Sequence, residues 1–331
     1  MSRQIYRITL FGVLLLCNAV AHLAAAAPEH TILCSTFPIY QITRNIAAGR
    51  TGITVELLLP AQLGCPHDYA LTPQDMRKLN RADVLVINGL GMEEFLGAPV
   101  ARANQSLKII DSSVGITDLL SYEAHDHDHA HDHDHDHDHG HAYQTHFGDA
   151  HDQPRAPAAV NPHLFTSPRQ VARLAQNIAR ALAEFDPGGA ELYQQNAQAY
   201  AKRMLALADE ARALGKRLRN NKIVQPHGIM DYLARDMGLK IIAVTQAHGQ
   251  APSAAQMLKL VKDIRANNAG AVFTEPQYSD KIGRTLARET GIPSLAFDPV
   301  ASGPENAPLD YYETVMRRNL AAIRTTLGTR D

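Results

Sequence analysis

Beyond its first 26 residues the chain has no apolar run of membrane-spanning length, no block of basic residues, and only two cysteines, Cys34 and Cys65. Each scarcity excludes something. A transmembrane helix needs about 20 consecutive apolar residues, and none is found in the body of the chain. Lys and Arg total 32 against 34 Asp and Glu, a formal net charge of −2, so a nucleic-acid partner is not expected. Two cysteines in an oxidising compartment allow one disulfide, but sequence alone does not pair them.

What is present begins at the N-terminus. A basic start with Arg3 and Arg7, an apolar run over 8–20 and the small residues Ala24 and Ala26 form a cleavable export signal over residues 1–26. Leu16 precedes Cys17 where a lipid-attachment signal has a small residue, so the expected product is exported to the periplasm without a lipid anchor. About 300 residues then remain, more than one ordinary core holds, and two lobes are expected.

Strand-like and helix-like segments alternate. Residues 31–36, 53–59, 83–88 and 107–111 read as buried strands, with helices over 39–48 and from Pro73, where Thr72 caps and Asp75 completes a capping box. The rhythm repeats after residue 220, with strands at 222–225, 239–244, 271–275 and 294–297 and helices from about Ser253, Ser279 and Asp310. This pattern predicts an α/β fold of two mostly parallel sheets flanked by helices. Between the halves, Ser167-Pro168 opens a helix to about 185, Asp186-Pro187-Gly188-Gly189 breaks it, and 190–219 is one uninterrupted helical segment. About 30 helical residues span about 45 Å, enough to join two lobes as a stiff spine. The expected boundaries are an N-terminal lobe over 27–189, the linking helix over 190–219 and a C-terminal lobe over 220–331.

The stretch 125–141 holds nine histidines and six aspartates and nothing large and apolar. Such a composition cannot bury enough surface to order itself, so 112–159 is expected to be a mobile loop region. Its imidazoles (His125, His127, His129, His131, His133, His135, His137, His139 and His141) supply many weak, interchangeable sites for borderline metals. Three further histidines, His67, His163 and His227, each follow a proline in a loop beside a strand end or a helix start, and Asp298 stands in a similar place. In parallel sheets ligands bind at the carboxyl ends of strands, so these four residues are candidates for one metal site.

Taken in order, the leader, Pro66-His67-Asp68-Tyr69, the histidine-rich insert, Asn161-Pro162-His163, the helix pair, His227 with Asp231-Tyr232-Leu233, Glu275-Pro276-Gln277 and Asp298-Pro299 resemble the zinc/manganese cluster of ATP-binding-cassette solute-binding proteins. The resemblance covers essentially the whole mature chain. It implies two α/β lobes joined by a single long rigid helix, with the metal held between them by His67, His163, His227 and Asp298. It further implies delivery to an inner-membrane permease, by a monomer, with a periplasmic zinc chaperone as a further candidate partner. His227 stands where manganese members would have glutamate, and three imidazoles with one carboxylate suit tetrahedral Zn2+. Asn161 departs from the commoner Asp, which bears on a hydrogen bond to His163 rather than on the ligand. Asp68, Glu275 and His248 are candidates for accessory or supporting roles, and Cys65 for a thiolate ligand or a disulfide with Cys34.

The expected function is therefore high-affinity capture of Zn2+ for import, without catalysis. Two other readings compete with it. In one, the histidine run makes the protein a periplasmic zinc buffer or adhesin. In the other it is a zinc hydrolase, which needs an open coordination position and a general base; no His-Glu-x-x-His segment occurs.

Overall fold

The computed structural model describes residues 30–64, 66, 69–97, 100, 103–121, 159–245 and 251–330. The expected leader, Cys65, His67, Asp68, His248 and the run 125–141 lie outside them.

Four strands, β1 (His30–Cys34), β2 (Ile53–Leu57), β3 (Val84–Ile87) and β4 (Lys108–Asp111), form one sheet in the order β2-β1-β3-β4. Four more, β5 (Lys222–Gln225), β6 (Lys240–Val244), β7 (Ala271–Thr274) and β8 (Ser294–Ala296), form a second in the order β6-β5-β7-β8. Every pairing is parallel, and the two sheets repeat one topology. The central strands β1, β3, β5 and β7 are largely apolar on both faces because both faces are covered. Ile32, Cys34, Val84 and Val86 point into a large inner core, whereas Leu33 and Leu85 point outward onto Leu79 and Leu96. The second sheet does the same, with Ile223, Ala271 and Phe273 inward and Val224 and Val272 outward onto Ile264 and Leu286.

Helices α1 (Phe37–Ala47) and α2 (Pro73–Arg81) belong to the first sheet, and α5 (Asp231–Met237), α6 (Ala254–Asn267), α7 (Lys281–Thr290) and α8 (Tyr311–Leu327) to the second. Between them α3 (Pro168–Phe185) and α4 (Ala190–Arg217) pack as a hairpin. Asp186 closes its tip, accepting from Arg50 Nε at 2.7 Å, Arg50 Nη2 at 2.9 Å and Tyr193 Oη at 2.6 Å. The Arg50 guanidinium holds the Asp186 carboxyl down at about 2.

Helix α4 is the linking element. Tyr193, Ala197, Tyr200, Met204, Leu207, Ala211 and Leu214 recur every three or four residues and are all buried. At its start Asn196 donates to the carbonyls of Ile46 and Ala48 at the end of α1, both at 2.9 Å. At its far end a Cβ on Gly215 would lie 1.8 Å from the Met237 carbonyl, so glycine lets α4 meet the end of α5 backbone to backbone. One inner core runs through α4 from sheet to sheet. The spine is thus packed on several sides, more than a bare strut between separate cores.

Three local differences from expectation have physical causes. β1 and β2 end before Ser35 and Leu58, because burial continues past the ladder. α4 stops at Arg217 rather than 219, where Leu218 leaves the helix to bridge Thr329. α5 was not anticipated; it is 7 residues long and ends on Gly238 at φ 72, too short for periodicity to register. Cys34 is a free thiol inside β1, pushed up to about 12 by burial.

Candidate metal centre

The two lobes meet where β5 ends and where the chain enters α3. His227 follows Gln225 and Pro226 in extended conformation (φ −144, ψ −178), which swings its ring off the sheet edge. His163 precedes the short turn Leu164–Thr166 and is completely buried. The rings stand 5.2 Å apart, centroid to centroid, at 68°. Two imidazoles from opposite lobes are therefore already side by side.

Each ring has an orienting group on Nδ1. His163 Nδ1 is 2.8 Å from Asn161 Oδ1, which also accepts the His163 backbone N–H at 2.9 Å. An amide oxygen only accepts, so Nδ1 carries the proton and Nε2 the lone pair. Asn161 thus makes the contact that its departure from Asp had put in question. His227 Nδ1 lies 3.1 Å from Glu275 Oε1, and the glutamate side chain is only 1% exposed. The contact lacks hydrogen-bond alignment: His227 Nε2 and both Glu275 oxygens are buried without a hydrogen-bond partner. A buried carboxylate and imidazole left this way are costly in a finished core. Beside them is a cavity of about 20 Å³, room for one water, lined by Pro226, Thr245, Phe273, Glu275 and Tyr278.

Asp298 lies just beyond β8 and its carboxylate is turned into its own loop. Oδ1 accepts from Val300 N at 2.9 Å and Gln277 Nε2 at 3.2 Å, and burial raises its pKa. Asn319 grips its backbone on both sides, donating to the carbonyl at 2.7 Å and accepting from the N–H at 3.2 Å. Val300, two residues on, sits at φ 62, a conformation that a β-branched residue adopts only when its surroundings impose it. Among the described residues no group of three His, Cys, Asp or Glu side chains is close enough to hold a metal. The structure therefore joins His163 with His227 and sets Glu275 beside His227, while Asp298 does not reach the pair.

The loop that carries His67 is described only at its flanks. A Cβ on Gly64 would lie 3.4 Å from Gln277 Cβ and from the Tyr278 hydroxyl, just after Glu275. Gly303 and the loop exchange bonds: Gly303 N donates to Ala61 O at 2.9 Å and Gln62 Nε2 to Gly303 O at 2.8 Å. These contacts set residues 61–64 against Gln277, Tyr278 and Gly303 of the second lobe. His67, Asp68, His248 and Cys65 themselves lie outside the described residues.

Sequence reasoning passed over Gln225 and noted Asp231 only as part of a motif. Gln225 Nε2 donates to Asp231 Oδ1 at 2.6 Å, and Asp231 Oδ2 accepts from Asn161 Nδ2 at 2.8 Å. The one available signal was a polar residue closing an otherwise apolar strand.

The chain as a whole is similar to known proteins. Against the zinc-binding protein AdcA of Streptococcus pyogenes serotype M6 the chain is 28% identical over 300 residues, covering 89% of itself and 55% of AdcA, so it spans about half the length of that relative. Against the high-affinity zinc uptake system protein ZnuA of Bacillus subtilis it is 28% identical over 303 residues, covering 89% of itself and 87% of the relative. The solute-binding protein FpvC of Pseudomonas aeruginosa, solved in complex with Mn2+, superposes with a TM-score of 0.71 at 27% identity, covering 90% of this chain and 98% of FpvC. The family described as the periplasmic zinc-uptake complex component A matches residues 32–326, from the first strand to the last helix, and the chain belongs to it.

Proposed function

We propose that the protein captures Zn2+ between its lobes and hands it to an ATP-binding-cassette permease, with His67, His163, His227 and Asp298 as the ligands. The carrying observation is the interlobe imidazole pair, with His163 Nδ1 held by Asn161 Oδ1, His227 Nδ1 3.1 Å from Glu275 Oε1 and His227 Nε2 buried without a partner. Nitrogen donors of this kind favour zinc over manganese, which prefers more oxygen ligands. In this reading Asp298 and the His67 loop close on the pair as the metal arrives.

The histidine-rich segment has a place in the same reading. Ser121 and Val160 form an antiparallel bridge, and Asn161 N donates to Leu120 O at 2.7 Å. The described chain resumes at residue 159, four residues before His163. Weakly held zinc on the segment is thereby kept at high local concentration near the site.

A chelator-competition titration of the chain without residues 1–26, beside a form also lacking 122–159 and a His163→Ala variant, tests this. One tight equivalent that survives the deletion and is lost with His163 is expected. Tight binding that vanishes with the segment and tolerates His163→Ala would make the protein a zinc buffer instead.

A further inference from the structure

We infer that Asp231, from the lobe opposite His163, positions that histidine through the Asn161 amide, so that residues 161 and 231 act as a matched amide and carboxylate. The inference rests on the reading of His163 as a ligand and adds a positioning residue to it.

Asn161 makes four directed contacts. Its Oδ1 faces the backbone N–H and Nδ1 of His163 at 2.9 and 2.8 Å, and its Nδ2 donates to Gly228 O at 2.6 Å and Asp231 Oδ2 at 2.8 Å. Turning the amide over would set NH2 against an N–H on one side and oxygen against a carbonyl and a carboxylate on the other. Asp231 is anchored in turn: Gln225 Nε2 donates to its Oδ1 at 2.6 Å, and the Met230 N–H, 2.9 Å from Gln225 Oε1, decides which way the glutamine amide points. Tyr232 Oη donates to Asn161 O at 2.8 Å and accepts from Leu120 N at 3.1 Å, holding the backbone in register. From one backbone N–H, donor and acceptor roles pass without ambiguity through Gln225, Asp231 and Asn161 to His163. The result is a single tautomer, with the proton on Nδ1 and the lone pair on Nε2.

The chain of roles tolerates one carboxylate at the 161–231 contact. Asn161→Asp would bring two carboxylates within 2.8 Å of each other across the lobes. Asp231→Asn would present NH2 either to Asn161 Nδ2 or to Gln225 Nε2, so one end must break. The double exchange satisfies both, because the carboxylate placed at position 161 accepts from His163 and from the new amide at 231, while that amide's oxygen accepts from Gln225. The Gly228 carbonyl is then left facing an oxygen.

Two measurements decide the matter. The first is zinc affinity by chelator competition for the parent chain, Asn161→Asp, Asp231→Asn, the double exchange and His163→Ala. Outer partners of metal ligands are worth about 10- to 100-fold in affinity, so each single variant should weaken binding by that range and the double should bind at least about 5-fold tighter than either. The second is the ring-nitrogen NMR tautomer of His163 in the metal-free chain, expected as Nδ1–H in the parent and shifted toward Nε2–H in Asp231→Asn. A merely structural role would lower the melting temperature without moving the tautomer. Affinity within about 2-fold of the parent and an unchanged tautomer in Asp231→Asn would overturn the inference, as would a double variant no better than the weaker single. Unchanged affinity in His163→Ala would instead overturn the ligand reading, while the metal-free tautomer still decides the positioning.

Discussion

Two sheets of one topology each bury a glutamate at the carboxyl ends of their central strands, and the two are held in opposite ways. In the first lobe Glu93 accepts from Ser35 Oγ at 2.7 Å, Asn88 N at 2.7 Å and Gly89 N at 3.1 Å. In the second lobe Glu275 accepts no hydrogen bond and has His227 Nδ1 for a neighbour. Glu93 closes its sheet edge within one lobe, as a structural residue should. In the proposed function, a metal on His227 Nε2 would lock the proton on Nδ1 and aim it at the Glu275 carboxylate. A buried glutamate beyond a central strand is thus fully bonded in the first lobe and left without a hydrogen bond in the second.

Replacing an imidazole tests the open side most severely. His227→Ala should weaken zinc binding by more than about 100-fold, beyond the range that outer partners command, in a chelator-competition titration. A loss under about 10-fold would mean that His227 is not a ligand. Glu275→Gln should cost about 10-fold in affinity while leaving the melting temperature of the metal-free chain unchanged or higher, since both Glu275 oxygens are buried without a hydrogen bond to lose.

Glu93→Gln should do the reverse. An amide NH2 would meet at least one of the three donors, and an unsatisfied buried contact of this kind costs about 1–3 kcal/mol. Denaturant unfolding should register that loss with zinc affinity unaltered. Equal effects of the two substitutions on affinity would erase the contrast between the lobes.

The smallest effect is a pH slope. Burial, outweighing the bonds from Ser35, Asn88 and Gly89, lifts the Glu93 carboxyl from 4.5 to about 7. The folded chain then holds a proton that the unfolded chain releases, so this group's stabilising contribution is full below about 4.5 and declines as pH rises toward 7. Melting temperatures between about pH 5 and 7 should fall more steeply for the parent than for Glu93→Gln. Parallel curves would show that the three donors keep Glu93 ionised throughout.

Much of this was legible in one dimension. Runs such as 83–88 and 222–225 read as strands because both faces of a parallel sheet are buried, and the helix starts at Pro73 and Pro168 and the break at 186–189 are local chemistry. His163 and His227 were legible for the same reason, since each follows a proline at an element boundary. The partnership of Asn161 and Asp231 was not. It joins residues 70 apart in sequence and across two lobes, and no local pattern encodes which acceptor an amide will meet. The state of Asp298 was equally hidden, because its carboxylate bonds to Val300 in its own loop and to Gln277 in the separate loop after β7.

By itself, then, the sequence determined the strand and helix rhythm, the spine, and the kinds of donor atom at the strand ends, since these follow from side-chain periodicity and backbone chemistry over a few residues. Only the tertiary structure decided which donors meet. Hydrogen-bond roles depend on distances of a few tenths of an ångström between distant segments, and those exist only after both sheets have packed around one continuous core.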